Sequence, residues 1–277
     1  MSKKDKALKW ILTIIMLVVG IGCIVPFIFM ISSSFKVSGD VMKFPWSLIP
    51  DSPTLQNFTG LFTNGIYNFQ KWYMNTIVMT GLTIIIKIFF VSFTAYGFAK
   101  INFKGKDAVF LILLSAMMIP SDIMILPRYI IFKNLHILDT MWALILTSCV
   151  DVYFVFLLRQ SFISIPESIS EAAKIDGCNH MRIFWRIVFP LSKPAIATMA
   201  LFSFTWSWND YTGPYLYIST MDKQMLSVGI KLFSSGLTQD YGAQMASATI
   251  VLIPIMVAFL FCQRFFIEGV TSSAVKG

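Results

Sequence analysis

Trp206, Trp208, Asn209, Asp210, Tyr211 and Tyr215 crowd one apolar run, with Gly213-Pro214 among them. Aromatic faces stack on the apolar faces of sugar rings, and Asn and Asp exchange hydrogen bonds with hydroxyls. A saccharide path needs that mixture. Counted from Pro194, Asp210 lies about 24 Å along a helix axis, past the middle of a bilayer. A carboxylate there is costly unless it faces water or a partner. The same residues also fit an interfacial aromatic belt with an Asp–Asn packing contact. Residue types alone do not separate the two readings. Lys87, flanked by Ile84, Ile85, Ile86, Ile88 and Phe89, is the second candidate. An ionisable group so placed faces a cavity or a bundle interior, or snorkels from a tilted helix.

Enzyme chemistry finds little support. The chain has no GxxxxGK[ST] phosphate loop, so it does not bind ATP in that way. His136 and His180 fall on opposite sides of the expected membrane and cannot share a metal or a triad. The serines lack a paired base, and acids within the apolar runs are nearly limited to Asp151 and Asp210. Cys23, Cys149, Cys178 and Cys262 have no metal-like spacing, and three of them lie in apolar runs, which argues against a disulfide framework. No cofactor or metal is expected. An ion-coupled secondary transporter would want an intramembrane relay and inverted repeats; neither is visible.

The elements that must position these residues are membrane helices. Of 277 residues 56% are hydrophobic and only 13% charged, about half the charge of an ordinary soluble domain. The net charge of +8 does not imply nucleic acid, because the basic residues sit between apolar runs. One membrane domain, 1–277, suffices for the length. Its six spans are expected at about 10–32, 72–99, 108–127, 140–158, 194–218 and 245–267. An amphipathic segment, 128–139, is expected at the surface. The basic start and long first run read as a retained anchor rather than a cleaved signal. Basic residues of the termini, the 100–107 turn and the 159–193 loop outnumber those of the other loops. The positive-inside rule then puts both termini and that loop in the cytoplasm.

The 159–193 loop has its own logic. Ser164 and Pro166 mark a helix start, and Ser-Ile-Ser-Glu-Ala-Ala-Lys-Ile-Asp propagates it. Gly177 stops it, since a left-handed residue past the last turn costs glycine little. Asn179 can cap a second helix. There Ile183, Phe184, Ile187 and Val188 share one face, with Arg182 and Arg186 a turn apart on another. Pro190 and Pro194 turn the chain into the next run. The expected form is helix, glycine elbow, amphipathic helix, then membrane. An interfacial helix pair, with Glu171 bridging Lys174, fits the same residues.

Glu171-Ala172-Ala173, then Gly177 after three residues, then Ile187 and Phe189-Pro190, resembles the EAA loop of permease subunits of ABC importers. Phe189 departs from the Leu usual in that family. The resemblance extends from about Asn75 to the end of the chain. It takes in Thr94-Ala95-Tyr96-Gly97-Phe98-Ala99-Lys100, Met118-Ile119-Pro120, Leu126-Pro127-Arg128-Tyr129 and Phe156-Leu157-Leu158-Arg159-Gln160. Trp208-Asn209-Asp210 and the closing Ala274-Val275-Lys276-Gly277 are similar to the sugar-importing branch, the maltose-permease-like second subunit.

The resemblance implies an all-α, six-span permease in a prokaryotic cell membrane, without enzymatic activity of its own. It implies a second, non-identical permease subunit, an ABC ATPase dimer that binds the ATP and Mg, and an extracytoplasmic solute-binding protein. It places Glu171, Ala172, Ala173, Asp176, Gly177, Arg182, Ile187 and Pro190 in ATPase coupling. It puts most sugar contacts on the other permease subunit. A sugar is the expected cargo, with a non-sugar solute as the alternative.

Overall fold

A computed structural model describes residues 3–63, 68–233 and 239–274, without the side chains of 3, 4, 7 and 264–274. The expected tail feature at 275–277 lies outside the described residues. Among these the chain is all helix and turn, with no strand.

Three helices are long and apolar enough to cross a membrane: Leu8–Ser34 within α1 (Lys3–Ser34), α3 (Phe69–Lys100), and Tyr241–Gln263 within the last helix, Tyr241–Ala274. Between α1 and α3 lies the short α2 (Gln56–Thr63). Three bent pairs follow α3. They are α4 (Lys106–Met118) with α5 (Ser121–Asn134), α6 (Met141–Ser148) with α7 (Val152–Ile163), and, beyond α8 (Glu167–Ile175), α9 (His180–Leu191) with α10 (Lys193–Asn209). Counting each pair once gives up to six spans, so the protein is an all-α polytopic membrane protein.

The bends depart from the straight runs read in the sequence, and each has a local cause. The 108–127 run turns by 91° between Met118 and Ser121. Ile119 is extended there (φ −85°, ψ 115°), as a residue before proline prefers. The 121–134 limb therefore takes in most of the segment expected at the surface. The 140–158 run bends by 45°, where Asp151 leaves helical geometry (φ −135°, ψ 114°) and accepts the Tyr153 N–H to cap α7. The 194–218 run stops at Asp210, itself extended (ψ 116°), before the short helix α11 (Thr212–Tyr217).

By backbone contacts the chain divides into two compact units, one of 1–70 and 229–254, the other of 71–228 and 255–277. In the first, Asn57 Nδ2 donates to the carbonyls of Ser34 and Lys36 at 2.8 and 2.7 Å. These are orphan acceptors at the end of α1. Asp240 accepts from the Ser38 hydroxyl and the Ala243 N–H. A Cβ on Gly242 would sit 2.5–2.9 Å from the three head atoms of the Asn57 amide. The amide cannot step aside without giving up both carbonyls. Gly242→Ala is expected to destabilise by about 1–3 kcal/mol, the usual range for overpacking. Gly81→Ala, with nothing within 4 Å of its Cβ, is the control. Thermal unfolding in detergent checks the pair: equal midpoints would refute the clash.

The second unit is built on a core of Val91, Ala95, Tyr96, Phe154, Val155, Leu158, Phe162, Ile183, Phe184 and Val188, each less than 5% exposed. It joins α3, α7 and α9. Away from it, the loop residue Asp139 adopts a left-handed φ of 60°. Its carboxylate accepts from the Ser219 and Thr220 amides, the Thr220 hydroxyl and Lys223 Nζ. Burial alone would raise this acid, but those hydrogen bonds outweigh it and hold it well below the usual carboxylate range.

Candidate functional site

Two features of the second unit can carry function, an exposed elbow and a cavity. The elbow begins at Pro166, which precedes α8. At its end the Cys178 N–H bonds the Ala173 carbonyl and the Gly177 N–H that of Lys174. This is the Schellman arrangement, with Gly177 left-handed at φ +80°. Asn179 then accepts the Arg182 N–H at 2.9 Å and caps α9. Inside α9, Phe184–Val188 form a single π turn.

The buried face of this pair is Ser170, Ala173, Ile183, Phe184 and Val188, with Ile187 packed partly against it. Glu171, Ala172, Asp176, Gly177, Arg182 and Arg186 are exposed, and Ile175 is 87% exposed. Pro190 is half-buried in the last turn of α9. No ion pair joins Glu171 to Lys174 among the described residues, so Glu171 is left facing outward.

The base of the elbow is pinned to the end of α3. Lys100 is buried, donating to the Ile165 carbonyl at 2.8 Å and pairing with Glu167 at 3.2 Å. Arg159 Nε donates to the Phe98 carbonyl, and its guanidinium lies 4.1 Å from the centre of the Phe110 ring. The Tyr96 hydroxyl is 3.3 Å from His180 Nδ1. In the sequence Tyr96, Phe98, Lys100 and Arg159 stood only as motif residues, and Phe110 and Glu167 carried no signal.

The cavity, of about 700 Å³, is lined by Lys87 of α3, Ser121 and Arg128 of α5, Thr147 and Ser148 of α6, Asp151 and Tyr153, and Thr205, Trp206, Ser207, Asn209 and Asp210. Lys87 Nζ lies 3.8 Å from Asp151 Oδ2 and 5.2 Å from the centre of the Phe154 ring. Phe154 is fully buried and also carries Trp206, ring centres 5.2 Å apart. Asp210 receives the Gly213 N–H at 3.1 Å, and Asn209 Nδ2 donates to the Thr205 carbonyl.

The structure thus brings four of the sequence candidates, Lys87, Trp206, Asn209 and Asp210, to one cavity. It takes three elsewhere. Trp208 is 2% exposed, stacked on Phe204 and edge-on to Tyr73, so it packs the interior. Tyr211 and Tyr215 stack on each other at 5.4 Å and line no wall of the cavity. Asp151 and Arg128 were not singled out for this wall. An acid in an apolar run was the available signal for the first.

Comparisons with known proteins bear on the family and the fold. Residues 1–272 match the family model described as binding-protein-dependent transport system inner membrane component. The arabinooligosaccharides transport system permease protein AraQ of Halalkalibacterium halodurans is 32% identical, over 99% of both chains. A probable starch degradation products transport system permease protein, AmyC of Thermoanaerobacterium thermosulfurigenes, is 31% identical over 99% of both. Among solved structures, a bacterial ABC transporter involved in import of the acidic polysaccharide alginate has a chain that superposes with a TM-score of 0.87. It is 22% identical and covers 96% of this chain and 99% of its own; at that identity the likeness speaks for the fold alone. The chain therefore belongs to the binding-protein-dependent transport system inner membrane component family, as its EAA-like loop implied.

Proposed function

We propose that this chain is a membrane-spanning subunit of an ATP-driven importer of a sugar or oligosaccharide, and that a separate ATPase moves it by gripping the elbow around Gly177. On this reading a second, non-identical permease completes the pathway. An ATPase dimer binds the ATP and Mg on the cytoplasmic side, where both termini also lie, and an extracytoplasmic binding protein delivers the cargo. The sugar class is supported by relatives named for arabinooligosaccharides and starch degradation products.

One observation carries the coupling. The helices that hold the elbow are the helices that wall the cavity. Lys100 and Lys87 lie on the same α3, about 20 Å apart along its axis. The core that seats α8 and α9 includes Phe154 and Val155 of α7 and Ile196 and Met199 of α10. Packed interiors pass strain on rather than absorb it. A pull on Gly177 is therefore felt at Asp151 and Trp206.

The elbow reading is tested by Glu171→Lys, which reverses an outward-facing charge without touching the buried face. Recovery of the ATPase with the purified permease is expected to fall about tenfold, equivalent to about 1.4 kcal/mol of binding. Unchanged recovery at equal membrane levels would contradict docking at this surface.

A further inference from the structure

The protein itself satisfies Lys87 only in part, with Asp151 Oδ2 at 3.8 Å and the Phe154 ring at 5.2 Å. The lysine side chain is 4% exposed. An ammonium carries three donors, yet Lys87 makes no hydrogen bond with the described residues. Its nearest acceptor, Asp151 Oδ2, stands 3.8 Å away, well beyond the 2.7–2.9 Å typical of a charged N–H···O bond. Burying a charge in this way is costly unless further polar groups complete its shell. The direction left open is the cavity, which Lys87 lines.

What would complete that shell is legible from the wall. Asp151 keeps Oδ2 for acceptance while Oδ1 takes the Tyr153 N–H. Asn209, having donated Nδ2 inward, offers its carbonyl oxygen. Trp206 is half-exposed and held by Phe154. An ammonium, a carboxylate and an amide oxygen beside an aromatic plane form a set for hydroxyls on a ring with an apolar face. A volume of about 700 Å³ falls within the range of about 300–1,000 Å³ typical of ligand sites.

The charges fix the class of ring. Lys87 and Arg128 are matched by Asp151 and Asp210, so the wall is neutral in sum. A uronate carboxylate would find no net positive charge on this wall to offset the cost of leaving water. Hydroxyls, which both donate and accept, suit either sign.

We infer that this cavity is a binding site on this chain for an uncharged saccharide, with Lys87 and Asp151 as a hydroxyl-reading pair and Trp206 as the stacking surface. The inference rests on the importer reading and goes beyond it, since the family resemblance puts most sugar contacts on the other subunit.

The test uses the complete importer in proteoliposomes, supplied with labelled arabinooligosaccharides, maltooligosaccharides or oligogalacturonate. Lys87→Met, Asp151→Asn and Trp206→Ala are compared with the wild type at equal incorporation. The wild type is expected to take up a neutral oligosaccharide at least tenfold faster than oligogalacturonate. Each variant is expected to lose at least tenfold of that uptake at saturating sugar. A second measurement needs no variant that folds poorly: in the wild-type chain in nanodiscs, the neutral sugar transported should change tryptophan fluorescence and oligogalacturonate should not. Preference for oligogalacturonate overturns the class and leaves the importer standing. Variant uptake within twofold of wild type, or fluorescence blind to the sugar, overturns the site alone. Uptake of none of the three sugars brings down the importer reading with it.

Discussion

Gly177→Pro is expected to cut uptake at least tenfold while the protein remains in the membrane at normal levels. Gly177 sits at φ +80°, and proline is locked near −65°. Proline also lacks the N–H that Gly177 donates to the Lys174 carbonyl at 3.0 Å. Both closing bonds of α8 are then lost, and α9 leaves the elbow at another angle. The series Asn, Ala, Pro should be graded. A Cβ at 177 meets nothing within 4 Å, so Gly177→Ala bears only the left-handed backbone penalty, about 1–2 kcal/mol. Asparagine tolerates that region better and should stay near wild type. No buried side chain of the core is touched, so insertion should be spared. Uptake and membrane abundance measured together decide it: an abundant Gly177→Pro protein transporting at the wild-type rate would refute a fixed elbow.

Lys100→Met is expected to uncouple in a different way, with the ATPase still bound and hydrolysing but sugar uptake reduced several-fold. Lys100 ties the end of α3 to the Ile165 carbonyl and to Glu167. Methionine keeps much of the side chain's bulk and removes the donor. A buried acceptor left unmet costs about 1–3 kcal/mol, and the link between the elbow and α3 slackens. Glu167→Gln should matter far less, because Glu167 is about half exposed and surface ion pairs contribute about 0–1 kcal/mol. The informative quantity is ATP hydrolysed per sugar moved. A ratio unchanged by Lys100→Met would mean that force reaches the spans by another route.

The elbow was the most legible part of the sequence. Glycine and asparagine two positions apart define a stop and a start by local geometry, and the structure has both, at Gly177 and Asn179. The bends were less legible because each depends on one residue inside an apolar run. Asp151 reads there as an isolated acid, whereas in the folded chain it caps α7 and faces a lysine 64 positions earlier. No periodicity reports such a pairing. The aromatic cluster divides for a simpler reason. Residues two apart on a helix do not share a face, so Trp206 reaches the cavity while Trp208 enters the packing. Beyond Asn209 the helix ends, and Tyr211, at the N-cap of the next short helix, and Tyr215, within it, stack one turn apart on each other.

The single π turn at Phe184–Val188 acts as a phase absorber. It holds one residue more than the regular helix around it would need. Losing one residue there would let an ordinary turn close with His180–Ile183 and Phe189–Leu191 still nearly in phase. The same loss within a regular turn of this helix would swing one end against the other by about 100° and turn Asn179 and Gly177 another way. In this architecture the π turn is where the chain can shorten by one codon without redirecting its outward surface.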